Sequence, residues 1–107
     1  MKIEMTPEAS ADLHGIKDYI EQELGNPVAA LNTVARITKA IRGLLTFPDS
    51  GTPLSPIVNF PTNYRFLVSG SYLVFYLHTG NIAQIIRILY GKRDYLRILF
   101  GEIQGEG

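Results

Sequence analysis

The apolar positions along the chain follow two periods. Ala9, Leu13, Ile16, Ile20 and Leu24 recur every three or four residues, the spacing of one face of a helix. Asp12, Lys17, Asp18 and Glu21 are expected on the opposite, solvated side. Thr6-Pro7-Glu8 supplies a start signal, with a hydroxyl at the cap, proline at the first helical position and an acid in the first turn. Gly25 is the expected stop. Asn26-Pro27 repeats the start, and Val28, Leu31, Val34, Ile37, Ile41, Leu44 and Leu45 form a second stripe, with Ala35 and Thr38 beside it. So short a connection predicts an antiparallel helical hairpin. Phe47-Pro48-Asp49-Ser50-Gly51 closes it with a turn.

The second half of the chain reads as strands. Residues 48–63 hold four prolines and are expected as a surface loop. Tyr64–Val68, Tyr72–His78 and Ile82–Tyr90 are strand-like, separated by Ser69-Gly70-Ser71 and Thr79-Gly80-Asn81 turns, and predict an antiparallel meander. Lys2–Met5 is a short first strand whose place in the sheet the pattern does not give. Asp94 is positioned to cap a last short helix through Leu99 or Phe100, followed by a frayed tail over residues 101–107. The order β-α-α-β-β-β-α predicts an α+β fold, a helical hairpin packed on a small, mainly antiparallel sheet, within a single domain spanning 1–107.

The run Ile82–Tyr90 is interrupted only by Gln84 and Arg87, and suits a strand covered on both faces. An arginine in such a strand is costly to bury unless a carboxylate pairs with it or it reaches an open cleft. Gly91, Lys92, Arg93 and Asp94 follow, so cations gather at the strand's end beside Tyr90 and Tyr95. The remaining histidines and cations have plainer readings. His14 and His78 lack carboxylate or cysteine neighbours in sequence, and no metal site is expected. Arg36, Lys39 and Arg42 form a row along one helix face, usually a solvated one, that suits an acidic partner segment and nucleic acid equally.

Composition narrows this only slightly. The 107 residues are 46% apolar and carry 10 cations against 10 anions. The balance is uneven: two cations face six anions over residues 1–25, and eight face two over residues 26–100. Zero cysteines exclude disulfides and thiolate chemistry. No apolar run approaches the length of a membrane span, and the polar start of the chain is unlike a signal peptide, so a cytoplasmic location is expected.

The element order, the Phe47–Gly51 turn, Tyr64-Arg65, Tyr72-Leu73-Val74-Phe75-Tyr76 and above all Arg87-Ile88-Leu89-Tyr90-Gly91-Lys92-Arg93-Asp94-Tyr95 together resemble the RelE/ParE superfamily of bacterial type II toxins, over residues 2–100. The resemblance implies a small cytoplasmic toxin of a plasmid-stabilisation module, using no cofactor and no metal. A cognate antitoxin, usually encoded beside it, would wrap its C-terminal segment across the helices and sheet. Two activities occur in the superfamily. ParE-like members poison DNA gyrase, and RelE-like members cut mRNA on the ribosome.

Metal-free RNA cleavage needs a base for the 2′-hydroxyl, cations for the phosphorane and an acid for the leaving oxygen. The resemblance places Arg65 and Arg93 at two of the expected cationic positions, with Arg87, Tyr90, Lys92 and Tyr95 as secondary candidates. It departs at Leu67 and Leu73, where further cations are expected, at Tyr90, which stands about where related nucleases carry histidine, and at Tyr95, which comes early for a RelE-like tyrosine. One such transition-state donor contributes roughly 3 kcal/mol. The expectation is therefore a ParE-like gyrase poison. A ribosome-dependent mRNA endonuclease and a non-toxic, antitoxin-binding module are the alternatives.

Overall fold

The computed structural model describes residues 1–101; residues 102–107, most of the expected tail, lie outside the described residues. The helices and the three long strands form where the pattern places them. Strand β1 (Lys2–Met5) leads into helix α1 (Pro7–Asp18), which ends in a π-helical turn over Tyr19–Glu23. Helix α2 (Pro27–Arg42) follows, and its last turn tightens to a 3₁₀ turn over Gly43–Leu45. Both starts are capped as the sequence implies: Ala9 N–H donates to Thr6 Oγ1 at 3.0 Å, and Ala29 N–H to Asn26 Oδ1 at 3.0 Å. Gly25, at φ +62°, turns the chain between the helices.

The proline-rich segment is more ordered than a plain surface loop. It contains a two-residue strand β2 (Thr52–Pro53) and one helical turn, α3 (Ser55–Val58). Between them Leu54 is fully buried and anchors the segment on the sheet. The meander is β3 (Arg65–Ser69), β4 (Tyr72–Thr79) and β5 (Ile82–Tyr90), and the chain closes with α4 (Tyr95–Phe100).

The five-stranded sheet has the order β1-β5-β4-β3-β2. β1 lies parallel to β5, with Lys2 opposite Ile82 and Met5 opposite Ile85; the other pairs are antiparallel. β5 is thus an inner strand covered on both faces. Ala83, Ile85 and Ile88 meet Ala9 of α1 and Ile37 and Ile41 of α2 in one cluster. Leu89 joins Phe75 and Leu54 in a second, under Tyr95, Ile98 and Phe100 from α4.

The apolar stripes of the hairpin are only partly buried. Ala9, Ile20, Ala30, Ile37, Ile41 and Leu44 are core, whereas Leu24, Val28, Leu31 and Leu45 are exposed, against expectation. Geometry explains the first three. Thr6 is bonded to Ile86, and Tyr19 faces the cleft that Tyr90 also lines. α1 rises roughly 20 Å between those two points. β5 advances only roughly 13 Å from Ile86 to Tyr90. The tip of the hairpin overhangs the end of the sheet.

Candidate functional site

The candidate residues do not form one site. Arg65 opens β3 opposite Tyr76, while Arg93 follows Tyr90, which lies opposite Tyr72. The four strand steps between Tyr72 and Tyr76 amount to roughly 13 Å. The two arginines belong to opposite ends of the meander, and each has its own surroundings.

Arg65 sits in a closed corner built on the turn after α2. Its Nη1 donates to the carbonyls of Asp49 at 3.1 Å and Gly51 at 2.8 Å, and its Nε lies 3.7 Å from Asp49 Oδ1. Below it the fully buried Tyr76 hydroxyl donates to Pro48 O at 2.8 Å and accepts from Gly51 N–H at 2.9 Å. Burial pushes the Tyr76 phenol up from its usual range. A side chain at Gly51 would meet the Tyr76 ring, its Cβ falling 2.5 Å from the hydroxyl oxygen.

His78 completes the corner, with Nδ1 2.8 Å from Asp49 Oδ1 and Nε2 3.0 Å from Gly80 O. His78 has no carboxylate neighbour along the chain, but the fold supplies one from the Phe47–Gly51 turn. Both of its partners are acceptors, so the ring fills both bonds only with a proton on each nitrogen. The hydrogen bond from His78 is the main cause holding the Asp49 carboxyl below its usual range, with Arg65 adding to it. The donors of Arg65 are thus committed to pinning a turn.

Arg87 is paired. Its Nε and Nη2 donate to Asp12 Oδ2 and Oδ1 at 2.7 and 2.8 Å, a bidentate fork. Asp12 Oδ2 also accepts the Ile88 N–H at 2.9 Å. That carboxylate raises the Arg87 pKa further, chiefly through its hydrogen bonds. Asp12 was expected on the solvated side of α1, and this is a correction: its side chain is only 12% exposed. The signal was available, since Asp12 stands three residues after Ala9 and four before Ile16, the spacing of the buried stripe itself.

Arg93 stands at the mouth of a cleft of about 830 Å³ between α1, the start of α2 and the ends of β4 and β5. Tyr19, Ile20 and Leu24 form one wall, and Tyr72, Ile88 and Tyr90 the other. Tyr72 and Tyr90 meet edge to face at 6.0 Å. Burial, then the nearby Tyr19 and Tyr90, push the Tyr72 phenol up. Among the described residues, no carboxylate pairs with the Arg93 guanidinium. Lys92 is exposed beside it.

Tyr95 lies elsewhere, with its ring 5.2 Å from Phe75 in the cluster under α4. Tyr90 and Tyr95 therefore serve different clusters. Leu67 packs toward the helical hairpin and Leu73 toward α4, so the two positions where nucleases would carry cations point to opposite sides of the sheet.

A family model described as the ParE toxin of the type II toxin-antitoxin system, parDE, matches residues 3–95. A solved structure described as the chromosomal ParDE TA system from P. aeruginosa superimposes with a TM-score of 0.69 at 26% identity, covering 84% of this chain and 95% of that one. No curated protein gives a significant match. With the helical hairpin, the mixed sheet and a match that spans all but the two ends, the chain belongs to the ParE toxin family of type II toxin-antitoxin systems.

Proposed function

We propose that this toxin arrests bacterial growth by poisoning DNA gyrase, acts in the cytoplasm as a single domain over residues 1–107, and is neutralised by a cognate antitoxin protein. One observation supports gyrase over mRNA as the target. The cations that RNA cleavage would need are dispersed: Arg65 is committed to the carbonyls of Asp49 and Gly51, Arg87 to Asp12, and Arg93 lies at the far end of the meander. A phosphorane needs donors converging within hydrogen-bond distance of one group, and Leu67 and Leu73 supply none.

The test is inducible expression in a bacterial host, with gyrase cleavage complexes and mRNA integrity read from the same culture. Trapped gyrase complexes, an SOS response and intact mRNA are the expected result. Codon-phased mRNA cuts with normal supercoiling, abolished by Arg65→Ala or Arg93→Ala, would make the protein a ribosome-dependent nuclease instead. Unaffected growth would leave an antitoxin-binding module.

A further inference from the structure

The cations of residues 26–101 outnumber the acids that could pair with them. The acids there are Asp49 and Asp94, and both are taken, Asp49 by Arg65 and His78 and Asp94 by Arg97. Arg87 is matched by Asp12 from α1. Arg36, Lys39 and Arg42 on α2 and Lys92 and Arg93 after β5 remain, all exposed and in no ion pair among the described residues. Two of them flank one turn. Gly91 N–H donates to Ser71 O at 2.8 Å, which holds the end of β5 against the β3–β4 turn. Ser71 and Tyr72 line the large cleft together with Arg93, and a second, small pocket of about 140 Å³ together with Arg36. Thr33, Ser69 and Gly70 complete the lining of that pocket. The side chains of Thr33, Arg36, Ser69 and Ser71 make no hydrogen bond among the described residues.

We propose that the pocket between α2 and the β3–β4 turn holds a backbone phosphate of duplex DNA, with Arg36 as its central cation. The gyrase reading supplies the occupant, since a topoisomerase works on duplex DNA, and the site rests on that reading. One guanidinium and three hydroxyls with no carboxylate among them form a set rich in donors, and arginine, serine and threonine are among the residues that contact phosphate oxygens. The pocket is far smaller than the roughly 300–1,000 Å³ of small-molecule sites, so it takes a phosphate group and leaves the rest of the ligand outside.

The surface around it continues the same chemistry. Arg36, Lys39 and Arg42 follow one another at steps of roughly 60° around α2 and roughly 4.5 Å along it. Lys39, in the middle, stands opposite Ile37 and Ile41, which bury the helix on the sheet. A duplex carries one charge per roughly 1.7 Å of its axis, so a strip of this length meets several phosphates. An acidic peptide would need apolar anchors between the charges, because the centre of a protein interface is depleted of charge. The exposed apolar residues of α2, Val28 and Leu31, lie on its first half, before the cations begin. Phosphate contacts of this kind hold the duplex and read no sequence. They also need no donors converging on one transition state, unlike RNA cleavage.

The experiment follows the purified toxin in two assays: anisotropy of a short fluorescent DNA duplex across a salt series, and trapping of gyrase cleavage complexes on plasmid DNA. Wild type is expected to bind duplexes of any sequence, with an affinity that falls steeply between about 50 and about 200 mM salt. Arg36→Gln is expected to weaken that binding about tenfold for every sequence and to reduce the salt slope by about 1. Arg36→Glu is expected to lower both duplex binding and trapped complexes by more than about tenfold, and Lys39→Glu by less. Lys2→Glu makes the same change of net charge opposite Ile82, at the other end of β5, and should leave both unchanged. Arg36 is exposed and without an internal partner, so its variants are expected to fold, which circular dichroism checks. Equal duplex affinity of wild type and Arg36→Glu would overturn the site, and trapping of gyrase by wild type in the same series would leave the gyrase reading intact. Binding of inorganic phosphate without binding of duplex would make the pocket a free-anion site and overturn its DNA occupant. Loss of antitoxin binding in Arg36→Glu with duplex affinity unchanged would assign the cations to an acidic protein segment instead. Arg36-dependent duplex binding by a toxin that traps no gyrase would overturn the gyrase reading and leave the phosphate site standing.

Discussion

The corner around Gly51 and the cleft around Arg93 lie at opposite ends of the same strands and use the same kinds of residue. Each has an arginine, a tyrosine pointing to the hairpin side and a nearby turn. In the corner each of the three side chains bonds internally: Arg65 with two carbonyls, Tyr76 with Pro48 and Gly51, His78 with Asp49 and Gly80. In the cleft the arginine is unmatched and the walls are apolar and open. A satisfied set of hydrogen bonds marks a structural role, because nothing remains to be offered to a partner. An arginine left over beside exposed apolar surface marks a place where something else completes the set.

The sharpest way to break the contrast is at Gly51. Gly51→Ala drives a methyl into the Tyr76 ring and should destabilise the fold by about 2–3 kcal/mol. Gly43→Ala is the control, since a Cβ there meets nothing within 4 Å, and urea denaturation should find it neutral or slightly stabilising. Loss of stability at both glycines, or at neither, would remove the special status of the corner.

The next effect separates the arginines. Asp12→Ala leaves Arg87 and the Ile88 N–H without their acceptor. The Arg87 side chain is still 24% exposed, so the expected loss is about 2 kcal/mol rather than the larger values of fully buried pairs. Arg93→Ala should stay within about 0.5 kcal/mol of wild type. Equal losses in the same denaturation series would mean that Arg93 is also structural.

The smallest effect is a change in pH response. The folded Asp49 carboxyl is held below its usual range, chiefly by the His78 hydrogen bond, so the group binds protons less readily folded than unfolded. Its contribution is then present above about pH 4 and is lost as pH falls through the folded pKa. Asp49→Asn should flatten the acid limb of the Tm–pH curve and leave the neutral region almost unchanged. An acid limb as steep as that of wild type would show that the His78–Asp49 contact has no hold on stability.

Much of the fold was legible because its signals are local. The caps at Thr6 and Asn26, the turns at Gly25 and Gly80 and the apolar run of β5 each declare themselves within a few residues. What was not legible depends on residues far apart in sequence. The solvent reading of Asp12 failed because the reason for its burial, Arg87, lies 75 residues away. The pairing of His78 needed Asp49, 29 residues earlier, to be folded back over the sheet. The exposure of Leu24 and Val28 follows from a mismatch between helix rise and strand length, which no stripe of residues records. The division of the site candidates follows from strand register, since Arg65 and Arg93 both looked like ends of strands until β4 showed that the ends differ.

Thr6 joins the two halves of the chain in time as well as in space. Its oxygen caps α1 and also bonds to a carbonyl 80 residues further on, and among the described residues β1 has no partner strand except β5. Contacts so distant in sequence cannot form until the later segment exists. On the ribosome, the first strand and the hairpin emerge well before the strand that both must pack against. The nascent toxin thus passes through a window in which its apolar helices are uncovered and the cleft has no second wall. Chaperones and proteases meet the unfinished protein, before the sheet covers the hairpin.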